Sequence, residues 1–165
     1  MKFCNLNKFV WIFALIILLT SCQSDKSRVG GFFNLDTDLK IDFLVDADIN
    51  PDELNRPSPL FIRMYELKSS KMMKNADFLD LFERDEELLG ADMVVKHKLK
   101  RFKPGESRAE KFVLDPETKV VGLYAEFLNF KDSRYKLIIP VVSNNVFRNS
   151  VVIRVSGNEL IFVDE

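Results

Sequence analysis

Cys22 carries the clearest chemistry in this chain. It follows Leu19-Thr20-Ser21 at the end of an unbroken apolar run from Phe9 to Leu19, with Lys2 and Lys8 ahead of the run. Eleven apolar residues behind two lysines fit an export signal and fall short of the roughly 20 needed to span a bilayer. Small residues directly before a cysteine make the pattern of a bacterial lipobox. There the thiol takes a diacylglyceryl thioether, the chain is cut before the cysteine, and the new amine can be acylated. A nucleophilic sulfur is required at the modified position, and small neighbours admit the peptidase. The bland reading of the same residues is an ordinary secretory signal followed by an incidental cysteine. Two or three acyl chains hold a protein to a membrane essentially permanently, whereas one chain, at about 0.8 kcal/mol per buried CH₂, binds marginally.

The other residues capable of chemistry do not assemble into a catalytic set. His97 is the only histidine, reads as a solvated strand residue, and has no second His or free Cys beside it to make a zinc site. Cys4 leaves with the signal and Cys22 is used by lipid, so no disulfide is expected even in an oxidising compartment. There is no nucleophile elbow and no glycine-rich phosphate loop. The run Asp85-Glu86-Glu87 reads as the solvated face of a helix. The pairs Asp36/Asp38 and Asp46/Asp48 lie on an outward strand face without calcium-ligand spacing. Neither an enzyme nor a cofactor is expected; the covalent lipid on Cys22 is the one added group. Lys96-His97-Lys98-Leu99-Lys100-Arg101-Phe102-Lys103 holds five positive charges. It reads as an edge strand protected by lysines, the other reading being a strip that faces anionic lipid or an acidic partner.

The chain around these residues has the size of one domain. Removing the first 21 of 165 residues leaves 144, enough to bury roughly 68–70% of the unfolded surface without disulfide or metal. The formal charge of −1 becomes −3 once Lys2 and Lys8 leave, so there is no drive toward nucleic acid. Nor does any small-molecule substrate suggest itself. Fifteen phenylalanines suit a packed β core. The expected organisation is a signal peptide over 1–21, a lipidated cysteine and short flexible tether over 22–31, and a β domain over 32–165. The tether from Gln23 to Gly31 reaches roughly 15–18 Å, which keeps the domain close to its membrane.

Within the domain, Leu39, Ile41, Phe43 and Val45 alternate with Lys40, Asp42 and Asp46, the period of a half-buried strand. The strand stops at Asn50-Pro51-Asp52-Glu53-Leu54-Asn55-Arg56-Pro57-Ser58-Pro59, where prolines stiffen a loop. A second strand spans Leu60–Leu67. Between Ser69 and Gly90 the period becomes helical, with Asn75 or Asp77 as the cap and Gly90 as the stop. Strands follow over Met93–Phe102, Ala109–Leu114, Lys119–Phe130 and Tyr135–Val142, the last apolar on both faces yet marked by Pro140 as a bulge or an edge. Asn149–Ser156 and Glu159–Val163 flank a Gly157-Asn158 hairpin. About eight short strands with one inserted amphipathic helix make a mostly β chain, best fitted by a two-sheet β-sandwich.

Several motifs in this order resemble the TssJ/VasD family, outer-membrane lipoproteins of the type VI secretion system. They are Asn50-Pro51-Asp52 with Arg56-Pro57-Ser58-Pro59; Phe61-Ile62-Arg63-Met64-Tyr65-Glu66-Leu67; Ala76-Asp77-Phe78 with Leu81 and Leu89-Gly90; Pro104-Gly105-Glu106; Val121-Gly122-Leu123-Tyr124-Ala125-Glu126-Phe127; and the closing strand from Asn149 to Val155. The resemblance covers about Leu39 to Phe162. It departs at Asn55, where relatives often carry Gly, and at Tyr135-Lys136, where a Trp-Arg step is usual. The resemblance implies a transthyretin-like sandwich with a helical addition, anchored to the outer membrane and lying in the periplasm. Gln23 after the cysteine is consistent with that address by the sorting convention for such lipoproteins. The implied partner is the periplasmic C-terminal domain of TssM and, through it, TssL. The contact element is the loop between the first two strands, here Asn50, Pro51, Asp52, Glu53, Leu54, Asn55, Arg56 and Pro57. Pre-ordering by proline lowers the entropy lost on binding. Leu54, Asn55 and Arg56 at the tip are the residues expected to touch, with Leu54 an apolar anchor; the other reading of Asn50, Pro51 and Pro57–Pro59 is that they only shape the turn. The competing expectation is a periplasmic lipoprotein that carries an apolar ligand between its sheets.

Overall fold

A computed structural model describes residues 37–141 and 149–163. The signal, Cys22, the tether and Asp36 lie outside the described residues. The alternating segment forms β1 (Thr37–Val45), with Leu39, Ile41, Phe43 and Val45 buried and Leu44 exposed. After the proline loop come β2 (Ile62–Leu67), a short helix α1 (Lys71–Asn75), the amphipathic helix α2 (Phe78–Leu89) and a 3₁₀ turn over Gly90–Asp92. The remaining strands are β3 (Met93–Lys98), β4 (Arg108–Leu114), β5 (Val120–Ala125), β6 (Lys136–Pro140), β7 (Asn149–Ser156) and β8 (Glu159–Val163). Asp77 caps α2, its carboxylate accepting from the Asp80 amide at 2.8 Å, and Gly90 ends it at φ +48°. Gly157 takes φ +51° in the β7–β8 hairpin, the positive φ that a two-residue turn needs.

The strands form two sheets, ordered β4-β1-β7-β8 and β3-β2-β5-β6. Neighbours are antiparallel except β1 and β7, which run parallel with Ile41 opposite Val151 and Phe43 opposite Ile153. The facing sides bury Leu39, Ile41 and Phe43 of β1 and Ile153 of β7 against Ile62 and Met64 of β2 and Leu123 of β5. Each such side chain contributes about 1.5–3 kcal/mol on burial. β3 is an edge strand, as its lysines suggested, and β6, with Pro140 at its end, is the edge at the other side of the same sheet. The segment is apolar on both faces because Tyr135 and Ile138 pack under the helices while Leu137 and Ile139 join the core between the sheets, not because the strand is central.

The second sheet is covered on its outer side as well. Tyr65, Leu67 and Tyr124 point away from the sandwich and pack under Met73 of α1 and Phe78, Leu81 and Leu89 of α2. This explains why β2 is apolar on both faces. Gly122 permits the contact with α1: a Cβ there would lie 3.2 Å from the Met73 terminal methyl. Lys136 of β6 closes α1 by donating to the Lys74 and Ala76 carbonyls at 2.7 and 2.5 Å, orphan acceptors of a helix end. Burial holds its ammonium below the usual lysine range.

Candidate partner-binding surface

The loop between β1 and β2 is built around two polar side chains. Asn50, only 2% exposed, donates through its amide to the Pro59 carbonyl at 3.0 Å and accepts from the Leu128 amide at 2.8 Å. It thus ties the start of the loop to its end and to the β5–β6 connection. Its backbone sits at φ +49°, and that of Asn55 at φ +57°, a region asparagine tolerates better than most residues. Asp52 is the second hub. One carboxylate oxygen accepts from the Leu54 and Arg56 amides at 2.9 Å each, and the other from the Arg56 guanidinium at 2.8 and 2.7 Å. The hydrogen bonds from Arg56 hold the Asp52 carboxyl below the usual carboxylate range.

The consequence is a tight turn with a bare apolar tip. Leu54 is 70% exposed, and Glu53, Asn55, Arg56 and Pro57 are exposed beside it. Pro51 and Asp52 are half-buried at the base. Of the expected contact residues, the structure therefore presents Glu53 to Pro57 at the surface, while the Asn50 side chain is spent inside and shapes the loop. Sequence reading missed Leu128 and Asn129. Leu128, 60% exposed, stands with Pro51, Asp52 and Glu53 around an open groove of about 470 Å³. No local pattern marks Leu128; it joins the loop through the Asn50 bond across 78 residues.

The surface lies at one end of the sandwich. β1 begins at Thr37, opposite Leu114, and runs the length of its sheet before releasing the loop. At nine residues it spans about 30 Å. Thr37 thus stands at one end of β1, and the loop that presents Leu54 leaves from the other.

Two other sequence readings are corrected by the packing. Asp85 does not belong to a solvated run: it is buried on the same stripe of α2 as Phe78, Leu81 and Leu89. It accepts from the Tyr65 hydroxyl at 2.7 Å, from Arg63 at 3.0 Å and from Lys96 at 2.9 Å. Glu86 and Glu87 are exposed as expected. Arg63 also pairs with Glu126 at 2.6 Å and donates to the Leu81 and Phe82 carbonyls, which α2 leaves open because it breaks helical geometry at Arg84. Burial pushes the Asp85 carboxyl up, but the bonds from Lys96, Tyr65 and Arg63 outweigh it and hold the group below the ordinary range. His97, likewise, is not simply solvated. Its Nε2 lies 2.7 Å from Oε1 of Glu66, a carboxylate buried inside the sandwich whose other oxygen accepts from Thr118 and the Asp115 amide at 2.7 Å each. Asp46 accepts from Arg154 at 3.0 Å and Asp48 from the Gly157 amide at 3.3 Å, so both are engaged in loop structure. Among the described residues no cluster of His, Cys, Asp and Glu could hold a metal, and no helix is long and apolar enough to cross a membrane.

Comparison with known proteins places this arrangement. No curated protein matches the chain. Among solved structures, the type VI lipoprotein TssJ1 from Pseudomonas aeruginosa is similar with a TM-score of 0.72 at 23% identity, covering 79% of this chain and 97% of that one. A chain of a type VI membrane complex gives 0.67 at 26% identity, over 78% and 98%. A chain of a structure described as the type VI protein TssM C-terminal domain from EAEC gives 0.64 at 24% identity, also over 78% and 98%. A family model for the type VI secretion lipoproteins VasD, EvfM and TssJ matches residues 37–158, about three quarters of the chain and nearly the whole sandwich. This chain belongs to the type VI secretion lipoprotein family.

Proposed function

We propose that this protein is a non-enzymatic scaffold of the type VI membrane complex. In this reading acyl chains on Cys22 fix it to the inner leaflet of the outer membrane, with its domain in the periplasm. The loop Asn50–Pro57 holds the periplasmic C-terminal domain of TssM and, through it, links to TssL. The observation that carries the reading is the pre-shaped loop with Leu54 bare at its tip, at the end of the sandwich opposite Thr37. A turn already closed by Asp52 and Asn50 loses little conformational entropy on docking. An exposed leucine beside Leu128 offers a compact apolar anchor with a polar rim. The task is mechanical. Tension between membrane and partner runs along β1, whose nine residues are already extended and are held by a strand on each side.

The experiment is the affinity of soluble Gln23–Glu165 for the TssM periplasmic domain of the same organism, with a Leu54→Asp, Arg56→Glu variant in parallel. Loss of binding in a variant that still melts like the parent supports the loop; equal binding by both moves the interface elsewhere. Labelled palmitate that enters the parent but not Cys22→Ser tests the anchor, and membrane fractionation tests the address. The carrier reading, an apolar ligand between the sheets, finds no support in the packing: Leu39, Ile41, Phe43, Ile62, Met64, Leu123 and Ile153 occupy that space.

A further inference from the structure

Helix α2 covers only part of the outer face of its sheet. Tyr65 and Tyr124 lie beneath it, and cover ends at Arg63, whose guanidinium sits 5.6 Å from the Phe82 ring centroid and 5.4 Å from that of Tyr124. One step further along the same face of β2, Phe61 is 50% exposed, and Phe82 on the flank of α2 is 48% exposed. Between them lies an open groove of about 310 Å³, lined also by Ile62, Arg63, Lys98 and Leu99. The acid within it, Glu126, is engaged by Arg63 at 2.6 Å.

The rim is basic. Lys98, Lys100, Arg101 and Lys103 are all exposed, and none has an ion-pair partner among the described residues. The Arg101 guanidinium lies 6.0 Å from the Phe61 ring centroid. Four uncompensated cations within six residues, on a chain of net charge −1, set up a local field that attracts anions and repels basic partners. Two half-exposed phenyl rings beside them add apolar area that water does not favour.

We infer that this groove is a second docking surface, for an acidic segment of a protein partner that seats one bulky apolar side chain between Phe61 and Phe82 and sets carboxylates against Lys98, Lys100 and Arg101. The alternative anion source, a bilayer, fits less well. The site is recessed between a helix and a sheet, which a flat surface cannot fill. It also lies where β2 begins and β3 ends, the end of the sandwich opposite Thr37. Phe61 follows Pro59 by two residues, so the groove is continuous with the β1–β2 loop. A partner held there would meet the groove at high effective concentration.

The test does not depend on the identity of the loop's partner. The full chain, purified from membranes in neutral detergent, is titrated into a fluorescein-labelled peptide of sequence Asp-Glu-Asp-Phe-Asp-Glu, with a peptide carrying Lys at every acidic position as control. The acidic peptide should bind, the basic one should not, and affinity should fall at least tenfold between 50 and 500 mM salt, these being about one to two Debye-length halvings. Phe61→Ser and the pair Lys98→Glu, Arg101→Glu should each weaken binding tenfold or more, while Leu54→Asp leaves it unchanged. All these positions are exposed, and a thermal melt checks each variant. Absence of binding, equal binding of the two peptides, or groove variants that bind as the parent does would overturn the inference. So would phosphatidylglycerol vesicles that capture the chain through Lys98 and Arg101 while the peptide fails to bind.

Discussion

Asp52 and Asp85 are each the hub of four donors, and the contrast between them separates what makes this protein's surface from what holds it together. Asp52 gathers two amides and both ends of the Arg56 fork within five residues of loop. It is half-buried at the base of an exposed turn, and its bonds decide the shape of that turn. Asp85 gathers Arg63, Tyr65, Lys96 and the Glu86 amide from two strands and its own helix, in a site where its side chain is 8% exposed. Removing a buried carboxylate shared by two cations leaves Arg63 with Glu126 alone and Lys96 with the exposed Glu86 alone, whereas an exposed carboxylate is replaced by water. The same chemistry is therefore structural in one place and presentational in the other.

Replacing the buried hub should do the most damage. Asp85→Ala removes the partner that Arg63 and Lys96 share and leaves the buried Tyr65 hydroxyl unpaired, and should cost about 3 kcal/mol, read as a fall in the urea midpoint. Next comes Asn50→Ala, which strands the Leu128 amide and Pro59 carbonyl at φ +49°. A cost of about 2–4 kcal/mol follows from unsatisfied groups and left-handed strain, and partner affinity should fall with it. Acid tests the buried hub in another way. Because the Asp85 carboxyl is held below its unfolded value, its contribution is complete above about pH 4 and is lost as pH falls through the folded value. Asp85→Asn should therefore flatten the stability of the protein below pH 4, measured by urea unfolding at stepped pH. Asp52→Ala should leave the urea midpoint close to that of the parent yet weaken partner binding roughly tenfold by loosening the turn. A midpoint shift as large as that of Asp85→Ala would break the comparison. The smallest change in stability belongs to Leu54→Asp, within about 0.5 kcal/mol, with loss of binding as its whole effect.

Much of this was legible beforehand. The alternation from Leu39 to Val45, the Asp77 cap, the Gly157-Asn158 turn and the proline-bounded loop are local patterns, and each forms where it was expected. The two hubs differ in this respect too. Asp52 sits among loop residues that it bonds itself, so a reader of Asn50–Pro59 is already looking at the right atoms. Asp85 was hidden in an acidic run, although its spacing from Phe78, Leu81 and Leu89 places it on the buried stripe of α2. A charged residue on an apolar stripe looks like an error in the period until its partners are known, and those partners, Arg63 and Lys96, come from strands on either side in the chain. His97 was misread for the same reason: Glu66, 31 residues away, is what makes it more than a solvated side chain.

The sequence by itself determined the alternating strands, the capped helix, the stiffened loop and the cysteine pattern at residue 22, because each depends on neighbours within a few bonds or turns. Only the tertiary structure decided that Leu128 stands beside the loop, that Phe61 and Phe82 face each other across an uncovered strip, and that Asp85 is a core residue. These depend on how two sheets and a kinked helix are stacked. Stacking joins residues tens of positions apart through burial and desolvation, and neither leaves a period in the chain.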